Sequence, residues 1–390
     1  MKQHAAAIDR AALLSGIVFA LLLSLGATAS AGEWDWTPYL QFRLSYSDNI
    51  LLGADGAEVE ARKLSHVGDA EIDDVIWEAL FGSRATYTVN DHWRVRMRYQ
   101  YLAEFYTDED DENTEHHDLN VANELNLSEA WLWRVGFDGA KQNYLPGAEY
   151  LLTDYWNYSP FTGLDWKIDD NDTLKGRFTY HWRDYEPLGD SPFHDYQGPE
   201  TDLVWQHVWP AQSYWRTDLG INWINRDYDQ DPLDEHGARK GGSDREDDRV
   251  HLRAALTHAW SEDTAGRLGY DFEINDSNGE FYQYDEHQIS AVLLRNFHFW
   301  EGLQGKLYTH FRWRDYDHQV AQKVLDPKVP TLADDGVRED EQWYINAGLS
   351  RNFIERLNVA LDYSFLTNSS NDYSSEYDEN LVWMTLRWEW

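Results

Sequence analysis

From Trp36 to the last residue, apolar and polar positions alternate with a period of two, the periodicity of an extended strand. Leu40, Phe42, Leu44 and Tyr46 interleave with Gln41, Arg43, Ser45 and Ser47. Leu174, Phe178, Tyr180 and Trp182 interleave with Lys175, Arg177, Thr179 and His181. Leu307, Phe311 and Trp313 do the same with Lys306, His310, Arg312 and Arg314. Many runs reach about ten residues or more, the length a tilted strand needs to cross a bilayer.

Turn signals are sorted into two kinds. Short ones fall at Asn90-Asp91, Leu127 to Glu129, Asp169 to Asp172, Pro210 to Gln212, Ser261 to Asp263, Phe299 to Gly302 and Ile354 to Arg356. Between them lie about 40 residues, room for two strands and a longer polar connection such as Thr107 to Asp118, Asp231 to Asp244 or Gln319 to Val337. This spacing predicts an all-β chain, an antiparallel transmembrane β-barrel of about 16 strands. A soluble sandwich or propeller also alternates, but its strands are shorter and its turns are not sorted by length.

Composition narrows the picture. Aromatic residues make up 15% of a chain that is 26% charged, whereas a disordered acidic chain is poor in rings. Residues 1–31 read as an export signal, with Lys2 and Arg10 before an apolar stretch from Leu13 to Leu25 and small residues at Ala29-Ser30-Ala31. The remainder, 32–390, is expected to form one barrel domain. It has no other long apolar stretch, which excludes a helical membrane protein. The absence of cysteine excludes disulfides and thiolate metal sites, and leaves no residue for a lipid anchor. No cofactor or metal is expected, and with a net charge of -37 no nucleic-acid partner.

The final run, NLVWMTLRWEW, places Val382, Met384, Leu386, Trp388 and Trp390 on one face. An aromatic last residue on an amphipathic strand resembles the terminal signal of Gram-negative outer-membrane β-barrels. That resemblance makes Trp388 and Trp390 the expected assembly signal and the barrel assembly machinery an expected partner. YSDNI, Tyr46 to Ile50, resembles the opening strand of type 2 β-barrel porins. The tail from Tyr363 is similar to the closing strands of surface lipoprotein assembly modifier barrels. These resemblances imply a location in the cell outer membrane, among its lipids and lipopolysaccharide.

In HWRVRMRYQY, arginine stands at every second position: Arg94, Arg96 and Arg98. In a barrel the apolar face meets lipid, so these arginines face the lumen. The same parity turns Arg43, Arg84, Arg134, Lys175, Arg177, Arg183, Arg216, Arg226, Arg249, Arg253, Arg267, Lys306, Arg312, Arg314 and Arg387 inward. Fewer inward acids are expected: Glu78, Glu124, Asp138, Asp202, Asp218, Asp271, Glu273, Asp362 and Glu389. A wall dominated by one sign of charge concentrates counter-ions, and arginine rings select anions. The competing expectation is a salt-bridged interior closed by loops.

Arg-Asp-Tyr recurs at Arg183 to Tyr185, Arg226 to Tyr228 and Arg314 to Tyr316, with Arg245-Glu246-Asp247 and Arg338-Glu339-Asp340 opening return strands. Arg and Tyr of each repeat face inward, and guanidinium forks beside aromatic rings suit an acidic sugar or polysaccharide. A cross-strand ladder with the returning acids is the plainer reading. Acidic loops lack the spacing of a calcium site, and His116-His117 reads as a solvated loop pair. An outer-membrane lipase needs Ser and His together on the lipid face; the outward histidines, His207 and His258, lie at the short-turn end, and Ser277 in NDSNGE reads as a turn residue. The expectation is a non-enzymatic, porin-like channel passing small or anionic solutes. The alternative is a non-conducting structural or assembly barrel closed by loops such as Gln319 to Val337. The sequence leaves oligomeric state open.

Overall fold

The computed structural model describes residues 32–49, 73–107, 113–144, 154–185, 195–210, 214–300, 302–324, 332–372 and 375–390. The expected export segment, residues 1–31, lies outside them, as do Ile50, the acidic stretch 108–112 and residues 211–213 of one short turn.

The strands follow in chain order: β1 (Glu33–Ser47), β2 (Asp74–Asn90), β3 (Trp93–Tyr106), β4 (Thr114–Asn126), β5 (Trp131–Tyr144), β6 (Tyr155–Lys167), β7 (Asp172–Tyr185), β8 (Tyr196–Val208), β9 (Trp215–Tyr228), β10 (Glu246–Ser261), β11 (Thr264–Ser277), β12 (Tyr284–Phe297), β13 (Leu303–Val324), β14 (Leu332–Ile354), β15 (Leu357–Ser370) and β16 (Tyr377–Glu389). Each pairs antiparallel with its sequence neighbours, and β1 closes on β16, with Phe42 opposite Leu386. Closure removes the unpaired edge that an open sheet would expose to hydrocarbon.

The short turns are fixed by their own side chains. Asn90 Oδ1 accepts the amides of His92 and Trp93, each at 2.9 Å, and Asp169 Oδ1 accepts those of Asn171 and Asp172 at 2.7 and 2.8 Å. At the opposite end, the porin-like YSDNI stretch ties the seam. Asp48 accepts the backbone and side-chain amides of Asn380 at 2.6 and 2.8 Å, and Asn49 donates to the Asp378 carbonyl at 2.8 Å.

The outward parity is apolar. Leu164, Phe178, Leu203, Ile221, Leu268, Leu361 and Met384 are exposed across the middle of the wall. Aromatic residues gather at both ends. Trp34, Trp133, Trp166, Trp260, Trp300 and Trp390 lie toward the short turns; Trp77, Phe105, Trp156, Trp223 and Trp343 lie toward the long loops. Such girdles sit at the two interfaces of a membrane barrel. Apolar surface is thus spent on lipid, and the only buried apolar cluster among the described residues is small: Tyr87, Val95 and Val121.

Two sequence expectations change here. His116 and His117 lie in β4, not in a loop, because pairing with β3 and β5 begins at Thr114. The segment 319–337 is strand as far as Val324 and again from Leu332, so β13 runs 22 residues against 14 for β12. At about 3.3 Å per residue, this hairpin overreaches the neighbouring wall by about 25 Å.

Candidate functional site

The lumen wall is built from the polar parity of every strand, and the register settles which charges meet. The opening arginines converge on one acid. Glu124, only 5% exposed, receives Arg94 at 2.5 Å, Arg96 at 3.3 Å and Arg134 at 3.4 Å. Arg134 also reaches Asp165 at 2.6 Å. Arg98 has a different environment: its cross-strand neighbours are Arg84 and Asn120, and neither Arg84 nor Arg98 has a carboxylate partner among the described residues. Arg84 instead lies over the Tyr39 ring at 5.3 Å, with Arg387 over it at 4.2 Å. Tyr39 lies flat because position 82 is glycine; a Cβ there would stand 2.1 Å from the ring.

The other expected lining residues also face inward. Arg177 pairs with Asp138 at 2.6 Å and covers Phe161 at 3.9 Å; Arg253 pairs with Asp202; Arg312 approaches Glu286 at 3.8 Å. A cavity of about 380 Å³ opens among Arg134, Lys175, Arg177, Arg253 and Arg267. The expected excess of base is revised, because acids that parity did not reach also turn inward: Glu104, Asp118, Asp165, Glu200, Asp247, Glu286, Asp340 and Glu379. Each faces an inward partner across the ladder or bonds one, such as Asp165 to Arg134 and Glu286 to Arg314.

At the long-loop end, Arg and Tyr alternate along the wall. Arg183 lies 4.5 Å from the Tyr155 ring and 5.3 Å from that of Tyr196; Arg226 lies 4.7 Å from Tyr196. Arg245 packs on Tyr228 at 4.2 Å and Tyr282 at 3.3 Å, Arg314 on Tyr284 at 4.2 Å, and Arg338 on Tyr316 at 4.8 Å. Tyr185 accepts from Arg183 Nη1 at 3.3 Å. The β10 to β14 side of this mouth is roofed. Leu233, His236 and Gly237 of the loop 229–245 cover a chamber of about 520 Å³ together with Tyr282 and the β13 residues Gln319 and Val320. The Val320 amide donates to the Glu235 carbonyl at 2.9 Å. The covering loop is therefore 229–245, with the β13–β14 hairpin leaning on it, rather than a loop 319–337 alone.

Below Arg183 lies a relay that sequence reading missed, because its members are scattered over four strands. Ser159 Oγ meets His181 Nδ1 at 2.9 Å, His181 Nε2 meets Glu200 Oε2 at 2.7 Å, and Asn222 Nδ2 donates to Glu200 Oε1 at 2.9 Å. Ser277 is inward and buried; its Oγ donates to Asp247 at 2.6 Å and accepts the Gly279 amide at 3.1 Å. Two further histidines, His117 and His287, face outward and were also missed; each meets a tyrosine hydroxyl, Tyr99 at 2.9 Å and Tyr270 at 2.7 Å. Trp388 and Trp390 fall on the outward parity at the short-turn end, where the Trp390 amide donates to the Pro38 carbonyl at 3.2 Å.

No curated protein matches the chain. Residues 213–390 match the family model described as surface lipoprotein assembly modifier. Among solved structures, OpdQ of Pseudomonas aeruginosa is similar at 13% identity, over 92% of this chain and 98% of that one, with a TM-score of 0.50. A loop L8 deletion mutant of OmpT, an outer membrane protein of Vibrio cholerae, has 11% identity over 93% and 100%, with a TM-score of 0.49. OccK2 (OpdF) of P. aeruginosa, solved with glucuronate, has 14% identity over 91% and 98%, with a TM-score of 0.42. The chain is a closed 16-strand barrel of the outer-membrane kind, and its part from 213 to 390 is similar to the surface lipoprotein assembly modifiers.

Proposed function

We propose that this protein is a passive outer-membrane channel for small solutes, biased toward anions. One observation carries the reading: Arg84, Arg98, Lys175, Arg183 and Arg226 face the lumen without a carboxylate partner among the described residues. Most inward acids are already neutralised, Glu124 by three arginines and Asp218 by Arg216 at 3.0 Å and Arg267 at 3.3 Å. Of the acids without an Arg or Lys partner, Glu104 and Glu379 bond Thr114 at 2.8 Å and Ser47 at 2.7 Å near the long-loop rim, and Asp118, Glu200 and Asp271 meet histidines, while Asp362 stands opposite Gly348 and Trp383. The unpaired cations therefore set the field inside a low-dielectric tube, which gathers anions.

Planar-bilayer recording in a KCl gradient tests this. The expected result is stable conductance with an anion-favouring reversal potential that moves toward the cation value in Arg84→Gln/Arg98→Gln. Absence of conductance, or a cation preference in the unmodified protein, sinks the proposal.

A second reading rests on the family match over residues 213–390. The barrel would then assist assembly of surface lipoproteins, and the covered β10 to β14 mouth would be the working surface. Deleting the gene would reduce lipoprotein display on intact cells, a loss that Arg84→Gln/Arg98→Gln leaves untouched.

A further inference from the structure

The mouth has a second side, formed by β6 to β9, and its two arginines have no carboxylate partner among the described residues. Arg183 and Arg226 share the ring of Tyr196, so two like charges approach one aromatic side chain. The Nε of each is buried and has no hydrogen-bond partner. An unmet buried donor costs about 1–3 kcal/mol, more on a charged group, so the arrangement calls for an explanation.

Among the described residues, the acids nearest in register are already engaged. Glu200, in the adjoining row, gives one oxygen to His181 and the other to Asn222. Asp247, which faces Arg226 in register, is 0% exposed and binds Arg245 Nε at 2.9 Å and the Ser277 hydroxyl at 2.6 Å. The aspartates of the two repeats, Asp184 and Asp227, take the opposite parity and face away from the lumen. Opposite Arg183 on β6 stands Asn157, which carries no charge.

The backbone is also unusual at this level. Pairing of β6 with β7 lapses between Tyr158 and Phe161, and that of β8 with β9 lapses between Gln197 and Glu200. The causes are Pro160 and Pro199, which have no amide to give a central ladder. Gly198 beside Pro199 has no side chain because a Cβ would stand 1.9 Å from the Asn225 carbonyl. The strand that carries Arg226 is thereby drawn in against β8. Proline and glycine inside central strands weaken the sheet, and here they flank the two arginines on both sides.

We infer that Arg183 and Arg226 form a binding site for the oxyanion group of a solute, a carboxylate or a phosphate, at the outer mouth. Two guanidinium forks donate to the two oxygens of such a group, and the anion neutralises a pair that no carboxylate reaches among the described residues. Tyr155 and Tyr196 hold the forks in place by stacking. The site rests on the channel reading for its use, as the first station for an entering anion, but its occupancy is measurable without any current.

The test is calorimetric titration of the detergent-solubilised barrel at low salt with three probes: galacturonate, inorganic phosphate and neutral galactose. Galacturonate, phosphate or both are expected to bind, and whichever does identifies the source of the oxyanion; galactose is not expected to bind. Binding should fall at least tenfold in Arg183→Gln/Arg226→Gln, and less in the Lys pair, which keeps the charge and loses the fork. Folding of each variant is checked by heat-modifiable migration. Binding that is unchanged in the Gln pair, shared equally by galactose, or absent for both anions overturns the site. None of these outcomes touches the selectivity assigned to Arg84 and Arg98, so the two readings fail separately.

Discussion

The same tripeptide builds two different environments at the two sides of the mouth. On β13, Arg314 stands opposite Glu286 and donates to it through Nε at 2.8 Å. On β7 and β9, Arg183 and Arg226 carry the same flanking Asp and Tyr, yet pack on rings and form no ion pair among the described residues. The following residues cannot decide this, because Asp points outward and Tyr sits beyond ion-pair geometry. The cross-strand neighbour and its other partners decide: Arg183 faces Asn157, and Arg226 faces Asp247, which Arg245 and Ser277 already hold. One side of the mouth has become a satisfied, covered wall; the other keeps half-buried charge without an ion pair among the described residues.

Removing the acid from the satisfied side has the largest expected effect. Glu286→Gln leaves Arg314 without its partner and should destabilise the barrel by about 2–3 kcal/mol, read from urea unfolding by tryptophan fluorescence; breaking a buried pair by one partner is costly. Arg183→Gln should be neutral or mildly stabilising in the same assay, and equal losses in the two variants would erase the distinction. Supplying an acid to the unsatisfied side is expected to act the other way. Asn157→Asp places a carboxylate opposite Arg183, adds about 1 kcal/mol of stability and abolishes oxyanion binding. The smallest effect is expected from Ser277→Ala, at about 1 kcal/mol or less. It removes one of the two donors to Asp247 Oδ1, leaving Arg245 Nε, and so frees a lone pair toward Arg226; anion affinity should drop about two- to threefold in the titration while the unfolding midpoint moves little.

Most of the barrel was legible in the sequence. The strand number, the short turns and the inward direction of Arg94, Arg96, Arg98, Arg183, Arg226 and Arg314 follow from period-two alternation, because lipid tolerates only one phase. Phase is lost where a strand begins in polar sequence. Glu286 and His287 lie in YDEHQ, where neither parity is apolar, so the inward acid and the outward histidine were both missed. His116 and His117 were hidden in the same way behind TDEDDENTE. The segment 319–337 was read as loop because it contains Pro327 and Pro330 and does not alternate, whereas pairing with its own return arm extends it as strand to Val324. Partner choice was not legible at all. Parity assigned Arg94 and Glu124 to one side but could not tell that three arginines share that acid while Arg98 has none.

The join between first and last strands also makes the barrel a hoop, in which a counting error has nowhere to run out. Inserting one residue in the middle of any strand would have to be accommodated by every other strand in turn, or by a local kink. The observed kinks accordingly fall at strand extremities, between Thr88 and Asn90, Ala259 and Ser261, and Asn352 and Ile354, or where β13 leaves the hoop past Asp315. Evolution of this chain by insertion is thereby steered to its tips, which leaves the girth fixed while the loops are free to change.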